Sequence, residues 1–144
     1  MNHQQMWELY CQETNSRGEY DFWSFGDQPD QLARLVLDEI KTGTSSLYLW
    51  YERENEPLPE VGTYSVILDS REEAVCIIRT TGVNILAFSD VSESHAYREG
   101  EGDRSLDYWR RVHEEFFSEE LEKEGLSFDP RMRVVCEEFE KVYP

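Results

Sequence analysis

The stretch "TYSVILDSREEAVCIIRTTGVNILAF", residues 63–88, decides the fold of this chain. Two runs within it, "TYSVILDS" and "AVCIIRTT", are rich in β-branched residues and predict a pair of strands joined through "DSREE". "VNILAF" continues the second run after Gly82, and a glycine inside a strand pattern predicts a bulge or a bend. We therefore expect two neighbouring strands, the second of which has a bulge or a bend at Gly82.

The segment before this pair predicts two helices, a connector and a further strand. "QQMWELYCQE" places Met6, Leu9 and Tyr10 at helical spacing, and the aromatic-rich "EYDFWSFGD" follows as a connector. Pro29 suits the first turn of a second helix, and Gly43 suits the position just past its end. The apolar face of this helix is predicted to contain Leu32, Leu35, Val36 and Ile40. "SSLYLWYE" then alternates with period two, which predicts a strand.

The segment after the pair predicts two helices and a closing strand. "SDVSESHAYRE" is typical of a short helix that starts at Ser89 or Asp90, and Asp103 is expected to cap the longest helix, which fades near Gly125. The apolar stripe of that helix is predicted to contain Leu106, Trp109, Val112 and Phe116. "RMRVVCEEFEKVY" is the final strand. Strands interrupted by helices without regular alternation predict an α+β domain around a curved or closed sheet.

The charge balance limits the partners of the protein. The 144 residues include 31 acidic and 14 basic side chains, for a formal net charge of −17. A field of this sign repels duplex DNA, but it does not oppose the approach of a neutral nucleoside. No apolar run approaches the roughly 18 residues needed to span a bilayer, and the start lacks the layout of a secretory signal. We expect one domain over residues 1–144, soluble and cytoplasmic, with no membrane partner.

The cysteines and histidines show no spacing typical of a metal site. The three cysteines are odd in number and scattered, which predicts reduced thiols. The histidines, His3, His95 and His113, form no H-x-x-x-H pair. The chain also has no phosphate-binding loop, no dinucleotide fingerprint and no G-x-S-x-G. We therefore expect no metal and no cofactor.

The stretch "EGEGDRSLDYWRRVH", residues 99–113, concentrates reactive side chains ahead of the long helix. Glu99 lies four residues after His95, so the two share a face if that segment is helical. On the residues alone, the acids of this stretch are favoured as solvated groups before a helix N-terminus, where negative charge is stabilising: Glu99, Glu101 and Asp103. Trp109 lies on the apolar stripe, which favours a place in the core.

Three stretches carry a family pattern. They are "WSFGD" at residues 23–27, "KTGT" at residues 41–44, and "SHAYREGEGDRSLDYWRRVHEEFF" at residues 94–117, with "VVCEEFEKVY" closing the chain. Together they resemble the ASCH family (activating signal cointegrator homology), in its bacterial branch, over nearly the whole chain. The resemblance implies a PUA-like fold, a curved or closed β-barrel with flanking helices, and it is specific for the family but not for one activity.

The resemblance also implies functional residues. ASCH domains are widely proposed to bind RNA or nucleotides in a cleft of the barrel, and a related branch removes acyl groups from the exocyclic amine of cytidine. The catalytic roles of that branch fall on Lys41, Thr44 and Glu99, with His95 in the matching "H-A" pair. A charged Lys41 that stabilises an oxyanion, with Glu99 as the proton acceptor, fits the electrostatics, and Thr44 is a nucleophile, a hydrogen-bonding anchor or only a strand-edge hydroxyl. Glu39 stands where the family commonly has glycine, which adds negative charge near Lys41.

Four further side chains are candidates for substrate binding: Trp23, Phe25, Arg110 and His113. Trp23 and Phe25 suit a stacking wall for a base, although packing over the barrel end explains them equally well. Arg110 also has the spacing of a surface pair with Glu114. His113 lies at the edge of the apolar stripe, where a histidine is more often a satisfied, partly buried side chain than a catalyst.

The leading hypothesis is a domain that recognises a nucleobase or nucleoside and, if catalytic, acts as an amidohydrolase on acylated cytidine. The alternatives are a non-catalytic module that binds nucleotides or single-stranded RNA, and a protein-interaction domain that uses its acidic face. We expect Glu99 to lie within reach of Lys41 and both to lie outside the central core. We also expect long RNA to bind weakly and with strong salt dependence. The patterns leave the oligomeric state open.

Overall fold

The computed structural model describes residues 1–144 and contains five α-helices and five β-strands. The helices are α1 (His3–Thr14), α2 (Pro29–Leu37), α3 (Tyr48–Glu54), α4 (Glu93–Glu99) and α5 (Leu106–Glu122). The strands are β1 (Asp21–Trp23), β2 (Gly43–Leu47), β3 (Tyr64–Leu68), β4 (Ala74–Ala87) and β5 (Arg133–Tyr143). A single 3₁₀ turn, Phe88–Asp90, follows β4. None of the helices is both long enough and apolar enough to cross a membrane.

All five strands form one curled sheet, a half-barrel in the order β1-β3-β4-β5-β2. β1 pairs with β3 in parallel, and the remaining neighbours are antiparallel. The pairing of β4 with β5 shifts register between Thr80 and Gly82, so the predicted irregularity at Gly82 is confirmed. Such an irregularity increases local twist, which lets the 14-residue β4 run continuously through the curled sheet. The observed α+β class is the predicted one.

Three apolar clusters hold the helices on the sheet. The cluster under α4 and α5 includes Trp109, Phe117, Leu121, Leu47 and Val134. The cluster under α2 includes Ala33, Val36, Ile67, Ile78 and Phe139. The cluster under α1 includes Met6, Trp7, Tyr10, Val66 and Ile77. Each cluster thereby covers a different part of the curled sheet.

Several element boundaries differ from the prediction in the first half of the chain. The aromatic connector contains the short strand β1, and α2 ends at Leu37, so Gly43 begins β2 instead of ending a helix. The predicted strand "SSLYLWYE" divides at Leu47, where strand pairing with Val134 ends and α3 begins. Without a partner strand to satisfy their backbone groups, the apolar residues that follow Leu47 form hydrogen bonds within a helix instead.

The helices that frame the site also begin later than predicted. Ser92 caps α4, in place of Ser89 or Asp90, and Ser105 caps α5, in place of Asp103. The buried side chains of α5 are Trp109, His113, Phe117 and Leu121, one every four residues. The predicted stripe positions Val112 and Phe116 are only half-buried, because the helix is rotated so that His113 and Phe117 face the sheet. In α1 the buried set is Met6, Trp7 and Tyr10, while Leu9 is half-buried.

Candidate functional site

Lys41 and Glu99 form a buried ion pair. The Lys41 Nζ atom lies 3.2 Å from Glu99 Oε1, 3.3 Å from the Glu99 carbonyl oxygen and 3.0 Å from Glu101 Oε2. The predicted contact between Lys41 and Glu99 is therefore confirmed across 58 residues of sequence. The expectation that both lie outside the core is wrong, since Lys41 is 1% and Glu99 2% exposed. Glu101, expected to be a solvated acid, is the third member of the cluster.

Two turns of unusual backbone bring the pair together. Gly100 follows the last residue of α4 with a φ of 73°, and a Cβ at this position would lie 2.6 Å from the carbonyl oxygen of Ile40. Only glycine permits this approach of the α4 end to the turn that carries Lys41. In that turn Glu39 has a φ of 61°, a backbone conformation that glycine adopts without strain. The Glu39 carboxylate lies 3.9 Å from Lys141 Nζ.

The Glu99 carboxylate receives donors from five side chains. Besides Lys41, the Ser45 hydroxyl donates to Oε2 at 2.6 Å and the Trp109 indole N–H donates to the same oxygen. The two histidines complete the set, with His95 Nε2 at 3.0 Å and His113 Nε2 at 3.3 Å. Burial alone would raise the pKa of Glu99, but Lys41 and then His113 hold it well below its usual range. Glu99 is therefore ionised in this structure.

His113 faces an acceptor with each ring nitrogen. Nδ1 lies 2.9 Å from the carbonyl oxygen of Trp109, and Nε2 lies 3.3 Å from the Glu99 carboxylate. Since both partners can only accept, the imidazole satisfies both contacts only when both nitrogens carry protons. Burial opposes that charge, but the Glu99 contact outweighs it and raises the pKa of His113. The ring also stacks on Trp109 at 4.4 Å between centroids.

Ser45, His95 and Glu99 meet in an arrangement that differs from a hydrolytic triad. Ser45 Oγ lies 2.7 Å from His95 Nε2, the same nitrogen that contacts Glu99. In a triad, the acid and the nucleophile contact opposite nitrogens of the histidine. Here the Ser45 proton points at Glu99, so His95 does not serve as the base for Ser45.

Glu99, Glu101 and His113 are the one group of side chains with the proximity needed to hold a metal. One ligand atom from each lies within 4.8 Å of the others. The Lys41 ammonium contacts both carboxylates, so a divalent cation would have to compete with it for the same oxygens. The arrangement as it stands is that of a buried ion pair.

A cleft of about 1020 Å³ adjoins this cluster. It is lined by both edge strands of the half-barrel and by inner strands, with aromatic walls and a polar floor. Trp23 and Phe25 stand on the β1 side and Trp50 and Tyr51 on the α3 side. The polar residues of the sheet that line the cleft include Thr44, Ser45, Ser65, Thr80 and Glu137. Aromatic walls over a polar floor suit a flat heterocyclic ligand.

The predicted site residues divide between the cleft and the buried cluster. Trp23, Phe25 and Thr44 line the cleft, while Lys41 and Glu99 lie behind it. Phe25, whose ring centroid is 5.3 Å from Lys41 Nζ, and Ser45 stand between the two.

The two other candidate binding residues lie outside the cleft lining. His113 belongs to the buried cluster. Arg110 belongs to neither group, because its guanidinium donates to the Ser89 carbonyl oxygen at 3.0 Å instead of pairing with Glu114. Substrate contact by Arg110 is therefore not supported by its position.

Sequence reasoning missed Ser45 and the indole of Trp109 as partners of Glu99. Ser45 follows Thr44 in a strand, so the two side chains point to opposite faces, and only the position of α4 shows that one face holds Glu99. Trp109 was predicted to be core, and it is, yet its N–H donates to the carboxylate. The contact between Trp109 and Glu99 depends on how α4 and α5 pack against each other, and local sequence patterns do not predict that packing.

Comparison with known proteins gives a consistent result. A family model described as ASCH domain matches residues 21–143. An ASCH domain from Lactobacillus crispatus JV V101 is 33% identical with a TM-score of 0.91, covering 98% of this chain and 94% of that chain. A protein from Enterococcus faecalis V583 is 39% identical with a TM-score of 0.88, covering 97% and 87%. The comparison with curated proteins gives no match.

Proposed function

Because the chain belongs to the ASCH domain family, we propose that it binds a nucleoside in the cleft and hydrolyses an acyl group from the exocyclic amine of a cytidine-type base. One observation carries the proposal: the buried pair of Lys41 and Glu99 lies directly behind a cleft with aromatic walls. In the reaction, the oxygen of water bonds to the acyl carbon, the bond from that carbon to the exocyclic nitrogen breaks, and the released amine takes a proton. The products are a carboxylic acid and cytidine.

Lys41 is the oxyanion stabiliser of this scheme. Its ammonium contacts three oxygens, and a cation held in a dry site favours the transition state when negative charge develops on the acyl oxygen. Glu101 is the replaceable contact, because its side chain is 19% exposed while that of Glu99 is 2% exposed. The substrate carbonyl takes the place of Glu101 on Lys41.

Glu99 is the proton acceptor, and Thr44 either anchors the attacking water or attacks the acyl carbon itself. In the second case the acyl group passes to Thr44 Oγ as the amine leaves with a proton, and water then hydrolyses the ester and frees the hydroxyl. The lowered pKa of Glu99 makes it a weak base before substrate binds. Once Lys41 turns to the developing oxyanion, Glu99 loses part of the positive charge that depresses its basicity. Ser45, which lines the cleft and donates to Glu99 at 2.6 Å, is the path by which the proton reaches the carboxylate.

We expect the purified chain to release cytidine from N4-acylated cytidine, and to act less well on the phosphorylated nucleotide. The acidic field and the cleft repel phosphate, so kcat/KM for the 5′-monophosphate should be lower by about tenfold or more. Chromatographic separation of free cytidine from substrate measures both rates. Arg34→Ala, which alters only an exposed pair with Asp38, is the control and should keep full activity.

A second candidate function is nucleotide or RNA binding without catalysis. It is favoured because the Lys41 ammonium already has a full set of hydrogen-bond acceptors. The ammonium has three oxygen partners, so no donor is free in the unliganded protein. Absence of turnover across a panel of acylated pyrimidine nucleosides, with retained nucleoside binding, would reject the hydrolase and leave this candidate.

We expect unstructured RNA to bind weakly and to dissociate as salt is added. The net charge is −17, and arginines that a basic strip would need already pair with acids, such as Arg131 with Asp129 at 2.8 Å and Arg133 with Glu52 at 3.8 Å. Only local contacts between basic side chains and phosphate groups can then offset the repulsion, and added salt screens such contacts. Fluorescence anisotropy of a labelled oligonucleotide at two salt concentrations tests this. A tight complex that resists salt would contradict it and favour the RNA-binding candidate.

A further inference from the structure

Glu137 lies on the cleft wall beside Thr44. Its position on β5 is directly opposite Thr44 of β2 and Val83 of β4. Residues directly opposite on antiparallel strands share a face of the sheet, and both Thr44 and Glu137 line the cleft. The carboxyl group therefore stands next to the hydroxyl to which the proposed reaction assigns an attacking or anchoring role.

No hydrogen bond and no ion pair compensates the Glu137 carboxyl, and the cleft supplies no cation. Its other charged lining residues are all acids: Glu19, Asp21, Glu56, Glu60 and Glu120. A half-buried carboxyl in such surroundings favours its neutral form. Burial, and then the nearby Asp21, raises the pKa of Glu137 to about 7.

A neutral carboxyl and an ionised one recognise different ligands. The neutral group offers one O–H donor and one carbonyl acceptor, whereas the carboxylate offers acceptors only. The pairing edge of cytosine presents the N–H donor of the exocyclic nitrogen next to the acceptor N3, with the O2 carbonyl beyond N3. The exocyclic N–H and N3 match the carbonyl oxygen and the O–H of the neutral carboxyl, and the donor of the base remains when the exocyclic nitrogen carries one acyl group.

We infer that Glu137 is a specificity-determining residue that pairs, as a neutral carboxyl, with N3 and the exocyclic N–H of a cytosine-type base in the cleft. The inference rests on the proposed nucleoside function and extends it. Because neither lysine nor arginine lines the cleft, the ligand is an unphosphorylated nucleoside or free base. A phosphate group there would face only carboxylic acids.

The affinity for the base should then depend on pH. The other titratable groups near Glu137 are few. Glu137 faces Asp21 from β1 and Tyr51 from α3, while Thr44 and Val83 on the neighbouring strands carry no charge. Burial raises the pKa of Tyr51, so this phenol stays neutral up to pH values well above neutrality. Burial also raises the pKa of Glu120, which lines the same cleft from α5.

Isothermal titration calorimetry with cytidine as the probe tests the inference on the full chain. For a group that titrates near 7, the neutral fraction falls by about thirtyfold between about pH 6 and about pH 8.5, and the affinity of the wild type should fall similarly. Glu137→Gln keeps one donor and one acceptor, so its affinity should be nearly the same at both pH values. Glu137→Leu should bind weakly at both.

Glu120→Gln is the matched control, since it removes another cleft acid and should leave the pH profile of the wild type unchanged. If Glu137→Gln binds cytidine with the same pH dependence as the wild type, the inference is overturned while the nucleoside function stands. If the wild type binds cytidine at neither pH, the proposed function fails and the inference fails with it.

Discussion

Lys41→Ala should lower the free energy of unfolding by about 3–5 kcal/mol, the range found when one partner of a buried ion pair is removed. The substitution leaves the Glu99 carboxylate buried without its cation, and it also opens a cavity where a fully buried side chain stood. Urea denaturation at neutral pH, followed by circular dichroism, measures the change. A loss below about 1 kcal/mol would show that the pair is not desolvated in solution.

A double-mutant cycle separates the charge from the packing. Lys41→Met fills most of the space but still leaves Glu99 unpaired, so it should be almost as destabilising as Lys41→Ala. Adding Glu99→Gln to Lys41→Met removes both charges and should recover a large part of the loss, because contacting residues are not additive. Arg34→Ala, in an exposed pair, should stay within about 0.5 kcal/mol of the wild type.

Glu99→Gln should lower the turnover of acylated cytidine by about a hundredfold to ten-thousandfold, the usual range for removing a group that transfers a proton. The amide retains the shape of the side chain but cannot accept a proton, and its NH₂ group must face a donor such as Ser45 or Trp109. Release of cytidine, compared with the same assay on Glu101→Gln, measures the effect. Turnover within a few-fold of the wild type would reject Glu99 as the proton acceptor.

The same variant should change the pH dependence of stability. Because the pKa of Glu99 is lowered from its usual 4.5 in the folded state, its contribution is present above 4.5 and is lost as the pH falls through the folded value. Because the pKa of His113 is raised from 6.5, its contribution is present below 6.5 and is lost as the pH rises through the folded value. Glu99→Gln should therefore flatten the stability profile on the acidic side and near neutrality.

Prediction of the elements succeeded where local pattern and tertiary structure agree. The irregularity at Gly82 and the final strand β5 are set by residue types that are neighbours in sequence. The strand prediction for "SSLYLWYE" failed because an alternating pattern does not by itself provide a partner strand. Pairing with β5 stops at Leu47. The stripe of α5 was misplaced because the true contacts follow every fourth residue and include a histidine.

The site was predictable to a smaller extent. The contact between Lys41 and Glu99 was expected from the family resemblance, since spacing alone favoured Glu99 as a solvated acid. Nothing in the pattern indicated that Ser45 would donate to Glu99, or that Glu137 would lie without a cation in the cleft. Both facts depend on which face of the curled sheet each strand residue occupies.

The amino-acid sequence alone was sufficient for the α+β class, the family, the irregularity in β4 and the net negative charge. These features depend on residue types and on periodicities over a few positions, and both are visible in the sequence itself. The tertiary structure decided that Lys41 and Glu99 are buried together, that five donors surround one carboxylate, and that Glu137 stands beside Thr44. The physical reason is that desolvation and charge–charge interaction depend on distances between atoms, and folding brings these atoms together from residues far apart in the chain.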